Sequence, residues 1–397
     1  MDFLYNITRD CDYYIKEVDD KDENDNIIKI NIFYVNRNVP LTDEILEKMA
    51  KYDFVEFCYD FNQSVDNLSV FNQESGNKGL KSLTFGNNFN QSVDNLPSKL
   101  ENLTLGTDFN QSVDNLPFGL QRLRFGCNFN QPVDNLPYNI QYLDFGYKFN
   151  QPVENLPPEL KRITFGYYFN QSVDNLPSEI EVLYFGCNFN QLVDNLPLEL
   201  QYLTFGCNFN QPVDNLPFEL QSLTLGENFN KSVDNLPSGI KSLSFGNFTT
   251  KSRFNQSVDK LPSELKILTF GTSFNKPVDN LPLELILITF GSQFNQPIDN
   301  LPNKLEYLDI IIPLEEHDYK FNQPVNKLPS GLQGLELGNN FNQSVDNLPS
   351  GLEKLVLGDN FNQSVDNLPS GLQKLTISKN YDKPLDKYSA SLKIIRK

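Results

Sequence analysis

The stretch Leu80-Lys81-Ser82-Leu83-Thr84-Phe85-Gly86-Asn87-Asn88-Phe89-Asn90-Gln91-Ser92-Val93-Asp94-Asn95-Leu96-Pro97 decides the fold. Leu83 and Phe85 alternate with Ser82 and Thr84, the period-2 pattern of a short strand. Gly86 ends that strand, and the Asn- and Asp-rich residues after it carry turn chemistry. Pro97 locks its own φ and restricts Leu96, so the return segment is extended. The same unit recurs along the chain. Phe-Asn falls every 20 residues from Phe89 to Phe229, then at Phe254, Phe274 and Phe294, and at Phe321, Phe341 and Phe361; Phe61 opens the series and Tyr381 closes it. Three steps hold extra residues: eight near Leu68–Gly79, five near Phe248–Arg253 and seven near Ile311–Tyr319. Sixteen coils result, over about residues 52–397. A 20-residue period leaves no room for a helix of normal length on the far side. One coil cannot bury its apolar face alone, so the strands must stack side by side into a parallel sheet.

Columns from Leu80, Leu83, Phe85, Phe89, Val93 and Leu96 are expected to fill the interior, with the Phe89 column as a spine. The Asn90-type residues beside it are expected to form an amide ladder that satisfies coil backbones. Stacked Asp94-type carboxylates suggest cation sites at first sight, but Asp closes turns by accepting from turn N–H groups, and that is the reading adopted. Eight repeat units read Asn-x-Ser after the Phe, a sequon pattern; those Asn are the same ladder amides, and the sequons are accidents of the repeat.

Leu348-Pro349-Ser350-Gly351-Leu352-Glu353-Lys354-Leu355-Val356-Leu357 resembles the short leucine-rich repeats built on LxxLxL and closed by Leu-Pro. The Phe-Asn-Gln-Pro-Val runs at Phe129–Val133 and Phe209–Val213 are similar to the FNIP repeat, a leucine-rich-repeat relative. The resemblance covers about residues 52–397. It implies a leucine-rich-repeat-like solenoid with the parallel β-sheet on the concave face and extended or 3-10 segments on the convex side. Some FNIP proteins resemble ubiquitin-ligase substrate receptors with an F-box ahead of the repeats, which gives an alternative function, a substrate-recognition adaptor. Residues 1–50 do not show the Leu-Pro-x-x-Leu…Ile pattern of an F-box. The resemblance brings no catalytic residues.

Residues 1–51 read as a small α/β N-terminal cap and 52–397 as the solenoid. Ile27–Val35 is a strong β run after the acidic stretch Asp19–Asp25. Thr42 is the expected N-cap of a helix reaching about Lys51, with Asp43 and Glu44 in its first turn. Phe54–Cys58 falls in register with the repeat strands, and Leu392–Lys397 forms the last strand. A solenoid end needs a polar lid, and the N-terminal segment supplies one.

The chain has 397 residues, 33 Lys and Arg against 51 Asp and Glu, and a net charge of −18. That balance excludes a nucleic-acid phosphate backbone as the main partner. No apolar run reaches the about 18 residues of a membrane span. Met1-Asp2-Phe3-Leu4-Tyr5 lacks the basic start of a signal peptide, so an intracellular, cytoplasmic protein is expected. One His and five Cys leave no metal or nucleophile constellation, so no cofactor, no metal and no enzymatic activity are expected. His317, flanked by Glu315, Glu316 and Asp318, reads as a loop residue. Cys127, Cys187 and Cys207 share one column and, with Cys11 and Cys58, are expected as free thiols. A Thr column suggests ice binding, but Arg124, Asp144, Tyr184, Glu336 and Val356 interrupt it.

Two columns per strand point out of the coil, because strand side chains alternate. They hold mostly Ser, Asn and Thr in the first coils, then Arg122, Arg124, Tyr142, Asp144, Arg162, Tyr184 and Tyr202. Tyr147 and Tyr167 border the same area. Tyr and Arg dominate interface hot spots, and the repeat itself does not call for them there. The expected function is a non-enzymatic scaffold that binds a protein partner on this face.

Overall fold

The computed structural model describes residues 12–21, 27–72, 79–246, 252–310, 319–385 and 392–397. Cys11, the central acidic residues 22–25, and the insertions at 73–78, 247–251 and 311–318, with His317, lie outside the described residues. Two compact units divide the chain, Met1–Gly186 and Cys187–Lys397.

The first unit opens with β1 (Tyr13–Lys21) and β2 (Ile27–Val35), antiparallel with Tyr13 opposite Val35. The sequence reading found β2 but not β1, whose charges mask its strand pattern. Charged side chains suit a strand at a sheet edge, where they discourage pairing with another chain. Helix α1 (Asp43–Met49) follows; the Ile45 N–H donates to Thr42 Oγ1 at 3.4 Å, as expected of an N-cap, and Ile45, Leu46 and Met49 are buried. β3 (Phe54–Phe57) pairs with β2 in parallel. β4 to β9 then stand at Ser82–Thr84, Asn102–Thr104, Arg122–Arg124, Tyr142–Asp144, Arg162–Thr164 and Val182–Tyr184, each parallel to the one before. The central residue of each repeat strand, such as Leu83, Leu103 and Leu123, points inward. Far-side segments are turns and extended chain, with a 3-10 helix at Asp66–Asn72.

Leu80, Leu83, Phe85, Phe89, Val93 and Leu96 are all buried, as expected. The Phe89, Phe109, Phe129, Phe149 and Phe169 rings stack at 6.0–6.1 Å between centroids. Phe85 packs on Phe89 within its own coil at 3.8 Å. Burying each such ring contributes about 2–3 kcal/mol, so the stack is a main source of stability. Gly86, Gly106, Gly126, Gly146 and Gly166 form a column of close backbone approach: a Cβ on Gly146 would meet the Gly126 carbonyl oxygen at 1.8 Å.

The Asp column departs from the expected turn closure. Asp94 accepts from its own coil's Ser92 hydroxyl at 2.8 Å and from the next coil's Asn115 amide at 3.2 Å. The Asp94 N–H donates to Ser92 Oγ at 3.2 Å. Serine closes the turn in the coils that carry it, and Pro132 and Pro152 among others stand in its place elsewhere. Aspartate ties neighbouring coils in both kinds, as Asn155 donates to Asp134 at 3.2 Å. At the equivalent Asp114, donation from Asn135 and then Ser112 holds the carboxyl below its ordinary pKa.

The second unit holds β10 to β19, at Tyr202–Thr204, Ser222–Leu225, Ser242–Phe245, Ile267–Thr269, Leu287–Thr289, Tyr307–Asp309, Gly334–Glu336, Lys354–Val356, Lys374–Ile377 and Lys393–Arg396. Consecutive strands pair in parallel and in register. Cys187 and Cys207 form a disulfide with Cα atoms 4.4 Å apart. This corrects the free-thiol expectation: equivalent positions in successive coils stand one strand spacing apart, within bonding reach. Cys58 and Cys127 are free. The solenoid has about 17 turns, one more than the Phe-Asn series counts, because β19 follows Tyr381 without a Phe-Asn of its own.

Candidate functional site

Strand alternation puts two columns of side chains on the outer face of the first unit. One runs Ser82, Asn102, Arg122, Tyr142, Arg162, Val182; the other runs Tyr34, Glu56, Thr84, Thr104, Arg124, Asp144, Thr164, Tyr184. The structure thus brings together six of the seven residues singled out from sequence. Arg122, Arg124 and Arg162 are exposed, while Tyr142, Asp144 and Tyr184 are half-buried. Tyr202 is exposed on β10 of the second unit.

Two of the three arginines, Arg122 and Arg162, are held by rings. The Arg122 guanidinium lies over Tyr142 at 4.2 Å from its centroid, and Arg162 lies over Tyr184 at 5.2 Å. Asp144 stands opposite Arg124 in register. Among the described residues none of the three arginines has an ion-pair partner; the nearby ion pairs are Lys81–Glu101 at 3.0 Å and Lys161–Glu179 at 2.8 Å. Thr164 Oγ1 is buried on this face without a hydrogen-bond partner.

Just past the strands, Tyr147 and Tyr167 stack at 4.8 Å, and Tyr168 meets both edge-on at 5.1 and 5.2 Å. Partial burial in this cluster, and then Tyr168 and Tyr167, raise the Tyr147 hydroxyl above its ordinary pKa. A groove of about 760 Å³ runs from Tyr34, Glu56 and Tyr59 to Arg124, Asp144 and Thr164, and one of about 340 Å³ adjoins Arg122, Tyr142 and Arg162.

Sequence reasoning missed Tyr34, Glu56 and Tyr168. Pairing Ile27–Val35 with Phe54–Cys58 in the repeat register would have placed Tyr34 and Glu56 in the Thr84 column. Lys16 of β1 pairs with Glu56 at 3.6 Å, so that carboxylate offsets little of the arginine charge. Burial, with smaller contributions from Tyr14 and others, pushes the Tyr34 phenol up to about 12. The sequence reading also left out an exposed apolar row after the Leu-Pro prolines: Phe118 and Tyr138 in the first unit, Leu198, Phe218 and Leu283 in the second.

In the second unit the outward column equivalent to Thr84 holds Thr269, Thr289 and Val356 at 6%, 5% and 8% exposure, while the column equivalent to Ser82 exposes Tyr202, Ile267 and Tyr307. Among the described residues there is no group of three or more His, Cys, Asp or Glu able to hold a metal ion. No helix there is long and apolar enough to cross a membrane.

A family model described as FNIP Repeat matches residues 71–108, 109–148, 129–168, 149–188, 169–208, 209–248 and 344–380. The chain is similar to a solved structure described as CroV588, a novel circular LRR protein. That likeness has 33% identity and a TM-score of 0.67, over 92% of this chain and 69% of that one. YopM from Yersinia enterocolitica WA-314 aligns over 82% of this chain and 76% of its own, at 19% identity and a TM-score of 0.44. No curated protein matches the chain.

Proposed function

The chain belongs to the FNIP repeat family, with the fold of a leucine-rich-repeat protein, and from that premise we propose that it is a non-enzymatic scaffold whose partner protein binds the strand face of the first unit. The contact residues are Arg122, Arg124, Tyr142, Asp144, Arg162 and Tyr184, with Tyr147 and Tyr167 at the border. Tyr202, on the strand face of the second unit, is the remaining residue of the proposal. One observation carries it: arginine and tyrosine displace Ser, Asn and Thr at outward strand positions that the interior does not constrain. These are the side chains that dominate binding energy at protein interfaces.

The adaptor reading asks the N-terminal segment to recruit a second protein. Its apolar residues Phe33, Val35, Ile45, Leu46 and Met49 are buried within the chain, which favours a cap over a recruitment module. We therefore assign residues 1–51 as cap and 52–397 as solenoid.

The test is capture of partners from the native host with the immobilised full chain, followed by affinity measurement on the purified partner. Arg124→Ala with Tyr184→Ala should weaken binding by about 2 kcal/mol or more with an unchanged circular dichroism spectrum. Ser242→Ala with Thr376→Ala, at outward strand positions of the second unit that do not adjoin Tyr202, should change little. Equal loss from both pairs, or none from either, places the binding surface elsewhere.

A further inference from the structure

We propose that the occupant of this face is an acidic linear peptide segment of the partner, gripped by Arg122 and Arg162 as a pair of carboxylate clamps. This rests on the reading of the strand face as the interaction surface and adds the chemistry of what binds there.

Arg122, Tyr142 and Arg162 are register partners in three consecutive strands. The two arginines therefore stand two inter-strand steps apart, about 10 Å at their backbones. Each guanidinium is stacked on a ring, Arg122 on Tyr142 and Arg162 on Tyr184. Stacking occupies the flat face of the guanidinium and leaves its N–H fork free at the edge, where it matches a carboxylate with two parallel hydrogen bonds. It also restricts two long side chains before any ligand arrives, which lowers the ordering cost of binding.

The charge distribution points to an external anion. Three of the seven arginines in the chain lie on this face, although the whole chain carries −18. Among the described residues no carboxylate pairs with any of the three, while nearby lysines do find glutamates. A long phosphate polymer would run beyond the patch onto an acidic molecule and be repelled. Asp144, beside Arg124, opposes a doubly charged phosphate more than a singly charged carboxylate. A short run of Glu or Asp side chains meets both conditions.

The arginine spacing selects a peptide conformation. An extended polyproline-type chain repeats every third residue, about 9 Å, so residues i and i+3 face one side. A β-strand places same-side residues about 7 or 13 Å apart, and neither matches the two-strand step. The preferred ligand therefore carries acidic residues at i and i+3.

The experiment is fluorescence anisotropy with the full chain and short labelled peptides. The set is Glu-x-x-Glu, a permuted isomer of equal charge with Glu-x-Glu spacing, a Gln-x-x-Gln analogue, and single-stranded DNA of equal length. The spaced acidic peptide should bind about tenfold tighter than its isomer. Arg122→Ala with Arg162→Ala should reduce it to the level of the Gln analogue. The corresponding double Lys variant should recover only part, because an ammonium supplies charge without the planar fork. Both arginines are exposed, and matching circular dichroism spectra confirm that each variant is folded. Equal binding to the parent and the double Ala variant, no preference for spacing, or tighter binding of DNA each overturns the proposal. If Arg124→Ala with Tyr184→Ala abolishes partner binding while acidic peptides neither bind nor compete, the interaction surface stands and the acidic ligand falls.

Discussion

The backbone N–H of Asn110 donates to Oδ1 of Asn90 at 2.9 Å, and Asn110 offers its own Oδ1 to the N–H of Asn130 at the same distance. Asn130 and Asn150 repeat the step toward Asn150 and Asn170. The ladder solves a problem that parallel stacking creates. Beyond the three-residue strands the chain turns away, and the N–H after each Phe has lost its sheet partner. One side chain per coil supplies the missing acceptor.

Asn110→Ala should therefore destabilise more than its own contacts suggest, because it leaves the half-buried Asn130 N–H without its acceptor. The expected loss is about 1–3 kcal/mol, read as a shift in the urea midpoint. Gln111→Ala removes a donor shared between the backbone and side-chain oxygens of Asn90 and leaves no backbone N–H without its acceptor, so it should cost less. A larger loss from Gln111→Ala would show that the Asn column is not what satisfies the turn.

Gly146→Ala should be severe for a different reason. An added Cβ would sit 1.8 Å from the Gly126 carbonyl oxygen, inside backbone that cannot move without separating the coils. A loss on the order of 3 kcal/mol or more is expected. At Gly351 the nearest atom to an added Cβ is Ser330 O at 3.4 Å, an ordinary contact, so Gly351→Ala should be mild. Thermal unfolding of the two variants side by side checks the contrast.

Repeat and interior were legible in the sequence because 20-residue spacing and strand alternation are written directly in residue types. Gly86 was legible as a strand end, but not as a point of close approach; that depends on the rise between coils, which no single coil contains. β1 was missed because its edge position replaces apolar residues with Lys, Glu and Asp. The arginine–tyrosine columns could be read from alternation alone. The stacking of Arg122 on Tyr142 and Arg162 on Tyr184 could not, since rotamers rather than spacing decide which ring each guanidinium covers.

Asp309 should make the second unit less stable as pH rises from about 4 to about 7. Burial, and then the neighbouring Glu336 carboxylate, raise its pKa to about 6, against a smaller opposing pull from Lys354, which is ion-paired to Glu336. The unfolded chain releases this proton near the ordinary value of about 3.9. Between those values the folded state holds a proton that the unfolded state has lost, so the stability contributed by this group is full below about 4 and is lost through about 6. Asp309→Asn cannot ionise. It should melt above the parent at pH 7.5, and the difference should shrink as pH falls to 4. A difference independent of pH would assign the effect to packing instead.

Removing residues 1–51 should leave the first coil unable to remain monomeric. β2 supplies the parallel partner of β3, with Ile32 opposite Phe54 and Val35 opposite Phe57. Phe33 and Val35 are buried at 1% and 0% exposure, and α1 adds buried Ile45, Leu46 and Met49. Without them the apolar residues of β3, Val55 and Phe57, lose cover on one side, and the strand presents a row of unpaired N–H and C=O groups. That is a template for pairing with another chain. Repeat arrays depend on such end units for solubility. Light scattering behind size exclusion should find the truncated chain aggregated or associated end to end, at concentrations where the full chain stays dispersed. If residues 52–397 instead run as a folded monomer, the N-terminal segment is an independent module whose contacts with β3 are dispensable.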